Sequence, residues 1–142
     1  MGLDMYLHKR TWLGRESRDQ LSMNGLPDMV EPGKVCYVIE EAGYWRKANA
    51  IHRWIVENVQ DGNDDCHTYE VSREQLQALL GQVEAVLAHP DMAVHLLPTQ
   101  AGFFFGGTEY DEYYVEDLKE TRRILTEALA DTEADFEYCS SW

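Results

Sequence analysis

Cysteine is scarce and scattered: three residues, Cys36, Cys66 and Cys139, with no CxxC pair. That spacing leaves out a disulfide framework and the common zinc and thiol-redox motifs. It reads as free thiols in a reducing cytosol. Long apolar runs are missing too; none approaches the roughly 20 residues a membrane-spanning helix needs. The opening Met1-Gly2-Leu3-Asp4-Met5-Tyr6 lacks the basic start and apolar core of a secretory signal. Tyr6 stands where a myristoylation signal carries Ser or Thr. The expectation is a cytoplasmic protein with no membrane partner. Cations are the third shortage, with 12 Lys and Arg against 26 Asp and Glu, a net charge of −14. Such a surface repels nucleic acid and anionic lipid and favours basic partners. Repeats, linkers and low-complexity tracts are absent, and no motif identifies a known reaction. No catalytic residue is therefore assigned, no cofactor or metal is expected, and binding is preferred to catalysis.

What is present suits one α+β domain over residues 1–142, since 44% apolar residues and 11% aromatics can fill a single core. Alternation predicts a strand over Gly2 to Trp12, followed by a long surface loop over 13–34 that holds Gly14, Gly25, Pro27, Pro32 and Gly33. Val35 to Ala42 reads as a second strand, punctuated by Gly43. Trp45 to Gln60 reads as a helix with Ala48, Ile51, His52, Ile55 and Val59 on one face and a cap at Asp61-Gly62. Cys66 to Val71 reads as a short strand. Ser72 and Gln75 form a capping box before a helix whose stripe is Leu76, Leu79, Leu80, Val83, Val86 and Leu87. Gly102 to Phe105 is expected as a buried strand or turn. Thr108, with Asp111 as its reciprocal partner, is expected to cap a third helix running to Ala130 on Tyr114, Leu118, Thr121, Leu125 and Leu129. Phe136 to Cys139 suggests a last strand, and the terminal Trp142 is expected to pack. Because strands and helices mix without regular alternation, the sheet should be mixed or antiparallel, of four to five strands on three helices.

Two stretches crowd aromatic rings against polar groups, Tyr44 to Trp54 and Leu97 to Tyr114. Rings supply contact area and the interleaved polar groups supply direction, so the two read as walls of one recognition site. Its candidate ligand-binding residues are Tyr44, Trp45, Arg46, Asn49, His52, Asp65, Thr99, Gln100 and Tyr110. The competing reading places function on an acidic surface. From Thr108 to Trp142 there are 11 Asp or Glu against 3 Lys or Arg. Glu109, Glu112, Glu116, Asp117, Glu120 and Glu127 would then engage a protein with a basic surface. A Cys66–His52 nucleophilic pair and a metal site from His52, Asp64 and His67 have suitable residue types but no supporting spacing.

The chain resembles a family of small phage- and prophage-associated bacterial proteins. The resemblance rests on Met1 to Leu7 (MGLDMYL), Gly43 to His52 (GYWRKANAIH), Asp64-Asp65-Cys66, Leu97 to Tyr114 and the closing Ser140-Ser141-Trp142. It carries over no catalytic residues. It implies a small accessory protein that inhibits or modulates a host defence macromolecule, in the manner of an anti-CRISPR protein. The alternative is a pocket for a small molecule or nucleotide, in a sequestering module or an enzyme, built on the aromatic, His and Arg cluster. The oligomeric state is left open.

Overall fold

A computed structural model describes residues 2–21 and 26–142. β1 (Asp4–Trp12) runs antiparallel to β2 (Tyr37–Arg46) on one side and to β4 (Asp135–Ser141) on the other; β4 also pairs with the short β3 (Tyr69–Val71). The sheet order is β2-β1-β4-β3, four strands and wholly antiparallel, which settles the α+β expectation. The helices are α1 (Arg15–Asp19), α2 (Asn49–Asn58), α3 (Arg73–Ala88), α4 (Ala93–Leu96) and α5 (Glu112–Ala130).

Alternation along the strands decides the layering. Leu3, Met5, Leu7, Phe136 and Tyr138 are buried on one face, against Ile51 and Ile55 of α2, Leu79 and Val83 of α3, and Leu118, Ile124 and Leu125 of α5. The Ser72 capping box opens α3 as expected, its side chain accepting from the Gln75 N–H while Gln75 reaches back. Gly62, at φ +81°, takes the left-handed turn after α2, and the preceding Asp61 is left-handed too. No helix among the described residues is long and apolar enough to cross a membrane.

Four boundaries differ from the sequence reading. β2 runs on through Gly43 to Arg46, so Trp45 and Arg46 lie on a strand and α2 starts only at Asn49. Pairing explains this: Met5 holds Trp45 and Asp4 holds Arg46 in register, which outweighs the helical periodicity. Cys66 and His67 precede β3, with Cys66 in a left-handed turn at φ 60°. Asp111, rather than Thr108, caps α5 by accepting from the Tyr114 N–H. The loop over 13–34 contains α1 and a helical turn at Pro32–Lys34; the part of that reading on residues 22–25 lies outside the described residues. Within Gly102 to Phe105 there is a turn: Phe105 is buried, whereas Phe103 is 94% exposed.

Gly43 is inside the strand because α5 leaves it no room. A Cβ built there would overlap Cγ2 of Ile124. The register with β1 also shifts at this point, between Leu7 and His8, which places a bulge at Ala42. Gly43→Ala is expected to destabilise the fold by about 1–3 kcal/mol, the usual range for overpacking a core. The check is the urea midpoint of Gly43→Ala alone and in an Ile124→Ala background, which removes the overlapping Cγ2. The smaller residue should recover part of the loss, and a purely additive pair would contradict the overlap.

Candidate functional site

The clearest concavity is a cleft of about 350 Å³ between the β2–α2 junction, the 97–111 loop and the start of α5. Its formation begins at Lys47. That residue adopts φ 59°, which turns the chain out of β2; its N–H donates to the Leu3 carbonyl (2.8 Å), and the Leu3 N–H donates to the Phe104 carbonyl (2.9 Å). Gly106, at φ +81°, lies against the Lys47 stem, where a side chain would press within 3.2 Å of Lys47 Cβ.

Asn49 fastens the loop to the helix. Its Nδ2 donates to the carbonyls of Phe105 (2.9 Å) and Gly107 (2.8 Å), and its Oδ1 accepts from the Gln100 N–H (2.9 Å). Thr99 Oγ1 donates to the Thr108 carbonyl (2.9 Å), Arg53 donates to the Thr99 carbonyl (3.0 Å), and the Tyr114 hydroxyl donates to the Leu97 carbonyl (2.8 Å). The 97–111 loop is thus a shaped wall, and the aromatic and polar mixture read from the sequence is largely its fastening.

Both sets of candidate residues contribute to this cleft. Arg46, Asn49 and Thr99 from the ligand-binding set line it, as do Glu109, Glu116 and Asp117 from the acidic set. Tyr113 joins them one turn ahead of Glu116 and Asp117, a helical i, i+3, i+4 grouping. Sequence reasoning missed Tyr113, although that spacing was already present in the expected helix. Arg46 bonds the Asp4 carboxylate at 3.3 Å, and the Tyr44 hydroxyl donates to the same oxygen at 2.6 Å. Burial first, and the nearby Asp111 charge second, push the Asp117 carboxyl up to about 6.

That shift has a stability consequence. A carboxyl with a folded pKa above its unfolded value stabilises the fold below the unfolded value, and the benefit is lost as pH rises through the folded one. Asp117→Asn should therefore raise stability at pH 7 by about 1 kcal/mol, after discounting for solvent screening, and by little at pH 4. Thermal melts at both pH values check this; equal gains would show that charge burial is not the cause.

The other candidates go elsewhere. Trp45 is core, its Nε1 donating to Thr121 Oγ1 at 2.8 Å. Tyr110 packs edge-on against Tyr114, and its oxygen accepts from the Thr99 N–H. Gln100 serves through its backbone, as above. Asp65 closes its own turn, accepting from the His67 N–H and the Tyr69 hydroxyl; those bonds hold its carboxyl below the usual range. Glu120 and Glu127 both bind Arg123, so this part of the acidic helix is internally paired, while Glu112 is exposed in the first turn.

His52 is 1% exposed and does not line the cleft. Its Nε2 meets Asp64 Oδ2 at 3.0 Å and its Nδ1 meets the Tyr138 hydroxyl at 2.7 Å. A carboxylate only accepts, so Nε2 carries a proton; in the neutral imidazole Nδ1 then accepts from the Tyr138 hydroxyl. Burial raises the Tyr138 phenol well above its ordinary value. Trp142 Nε1 donates to Asp64 Oδ1 at 3.1 Å, and the Trp142 ring meets Phe105 edge-on. The result is a hydrogen-bonded clasp joining α2, the 59–68 segment, the 97–111 loop and β4. The Cys66–His52 pair that the residue types would have allowed is not formed: both imidazole nitrogens are engaged, and Cys66 is exposed. His67 turns to Asp65 instead of joining His52 and Asp64, and no group of three potential ligands for a metal occurs among the described residues.

Comparison with protein-family models, curated proteins and solved structures finds no match to this chain.

Proposed function

We propose that the chain is a non-enzymatic binding protein whose cleft takes a lysine side chain from a basic partner. The observation that carries this reading is the lining of the cleft. Four carboxylates (Glu109, Asp111, Glu116, Asp117) face two cations (Arg46, Lys47); Arg46 is already paired with Asp4 and Glu116 with Lys119, which leaves three carboxylates against Lys47. Tyr113 supplies an exposed ring beside them. An ammonium would replace the missing countercharge of the half-buried Asp117. With the context that the family resemblance implies, the partner is a host defence protein with a basic groove, and its inhibition is the biological outcome. The small-ligand alternative draws on a different aspect of the lining. Arg46 and Lys47 stand on one wall and the carboxylates on the other, in a volume suited to a zwitterionic metabolite.

The test is calorimetric titration with a short lysine peptide across pH 5 to 8. A cation binds the ionised carboxylate, so affinity should rise as pH passes about 6, where Asp117 loses its proton. Asp117→Asn should flatten that rise and weaken binding roughly tenfold at neutral pH, as expected for losing a charge-assisted contact. An unchanged profile in the variant would remove Asp117 from the reading. Binding of free amino acids in preference to the peptide would favour the alternative.

A further inference from the structure

Among the described residues, the face of the sheet turned away from the core exposes large apolar side chains at one end. Strand register places its residues in rows. One row runs Glu41, His8, Glu137, Glu70 across the four strands; the next runs Ile39, Arg10, Asp135; the last is Tyr37 and Trp12. At this end the face exposes large apolar groups: Trp12 is 62% exposed, Ile39 59% and Tyr37 46%. Isolated exposed side chains need no explanation, but a contiguous group on one sheet face does.

Beside these rings lies a hollow of about 190 Å³, lined by Arg10, Thr68, Glu70, Asp135, Phe136 and Glu137. Arg10 displays the chemistry that this end of the sheet accepts. Its guanidinium lies 4.9 Å from the centre of the Tyr37 ring and bonds Glu137 at 3.1 Å. A planar cation on a ring with a carboxylate at its edge is the favoured setting for arginine. Glu137 is taken by Arg10, whereas Glu41, Glu70 and Asp135 have no ion-pair partner among the described residues. Glu70 and Asp135 thus line the hollow with only Arg10 as a cation beside them, while Trp12 and Ile39 leave apolar surface exposed at the same end of the sheet.

We propose that this open face docks an arginine-bearing segment of a basic partner protein. A guanidinium enters the hollow beside Glu70 and Asp135, and the apolar atoms of the segment cover Trp12 and Ile39. Charge complementarity selects the occupant. Phosphate would meet three unpaired acids, and a second copy would bring those acids against a chain of net charge −14. The surface is separate from the cleft and stands without it.

Amide chemical-shift mapping of the whole chain, titrated with an oligoarginine peptide and then with oligolysine of equal length, tests this. The expected result is that oligoarginine perturbs residues around Trp12, Ile39, Glu70 and Asp135, and that oligolysine does so much more weakly. Trp12→Ala, and separately Glu70→Gln with Asp135→Asn, should each weaken oligoarginine binding about tenfold with the folded spectrum retained. Shifts confined to the cleft would overturn the proposal while leaving the cleft reading intact. Equal response to both peptides would overturn it as mere charge attraction. Concentration-dependent self-association through this face, or tighter binding of single-stranded RNA there, would replace the proposed occupant.

Discussion

Asn49→Ala is expected to destabilise the domain by about 2–3 kcal/mol, because it leaves one buried carbonyl, one part-buried carbonyl and one part-buried amide without their partner. The groups concerned are the carbonyls of Phe105 and Gly107 and the N–H of Gln100, all on the loop that walls the cleft. Lysine-peptide binding should fall with it, since the loop loses its tie to α2. Asn49→Asp sharpens the test. Its carboxylate would face two carbonyl oxygens, so at neutral pH it should be at least as damaging as alanine, and it should recover as acid protonates it. Chemical denaturation of both variants at pH 4 and pH 7 reads the difference. A loss under 1 kcal/mol for alanine would show that the loop is held by its other bonds.

His52→Ala should cost somewhat more, about 3–4 kcal/mol, from a cavity in the core and from stranding Tyr138 and Asp64. Tyr138→Phe removes one bond at nearly constant volume and should cost only about 1 kcal/mol. Neither substitution touches the cleft lining, so peptide affinity measured on the folded fraction should hold. If affinity collapsed in Tyr138→Phe while the urea midpoint stayed put, the clasp would be part of the recognition machinery and not a fastening.

Much of this architecture was legible. The alternation of Leu3, Met5 and Leu7, the Ser72–Gln75 box and the stripes of α3 and α5 each follow from a local rule. They place core residues where the sheet and helices meet. Gly43 misled for a physical reason. Glycine signals a turn by default, but here it answers to Ile124 on a distant helix, which no local window contains. The start of α5 slipped because Thr108 and Asp111 both suit a cap, and only the fastening of the 97–111 loop decides between them. Within the site, the two aromatic stretches do converge, through Asn49 and Arg53. Yet His52, one of the candidate ligand-binding residues, is spent on holding strands and loops together. Residue types announced a hydrogen-bonding centre, whereas its access to solvent depended on packing from four separate segments.

The sheet order also dictates when this fold can come into being. β4 lies between β1 and β3, although it follows every other strand along the chain. Met5 must find Ser140, and Tyr69 has no neighbour in the sheet until Tyr138 arrives. A nascent chain can zip β1 onto β2 early, but its second half stays without a template until β4 is made. Pairings so distant in sequence carry a large closure entropy and fold slowly. During that interval Leu3, Met5 and Leu7 sit on a strand with one open edge, the state in which off-pathway association is most damaging. The large negative charge of the chain then acts before any partner is met, by keeping unfinished copies apart.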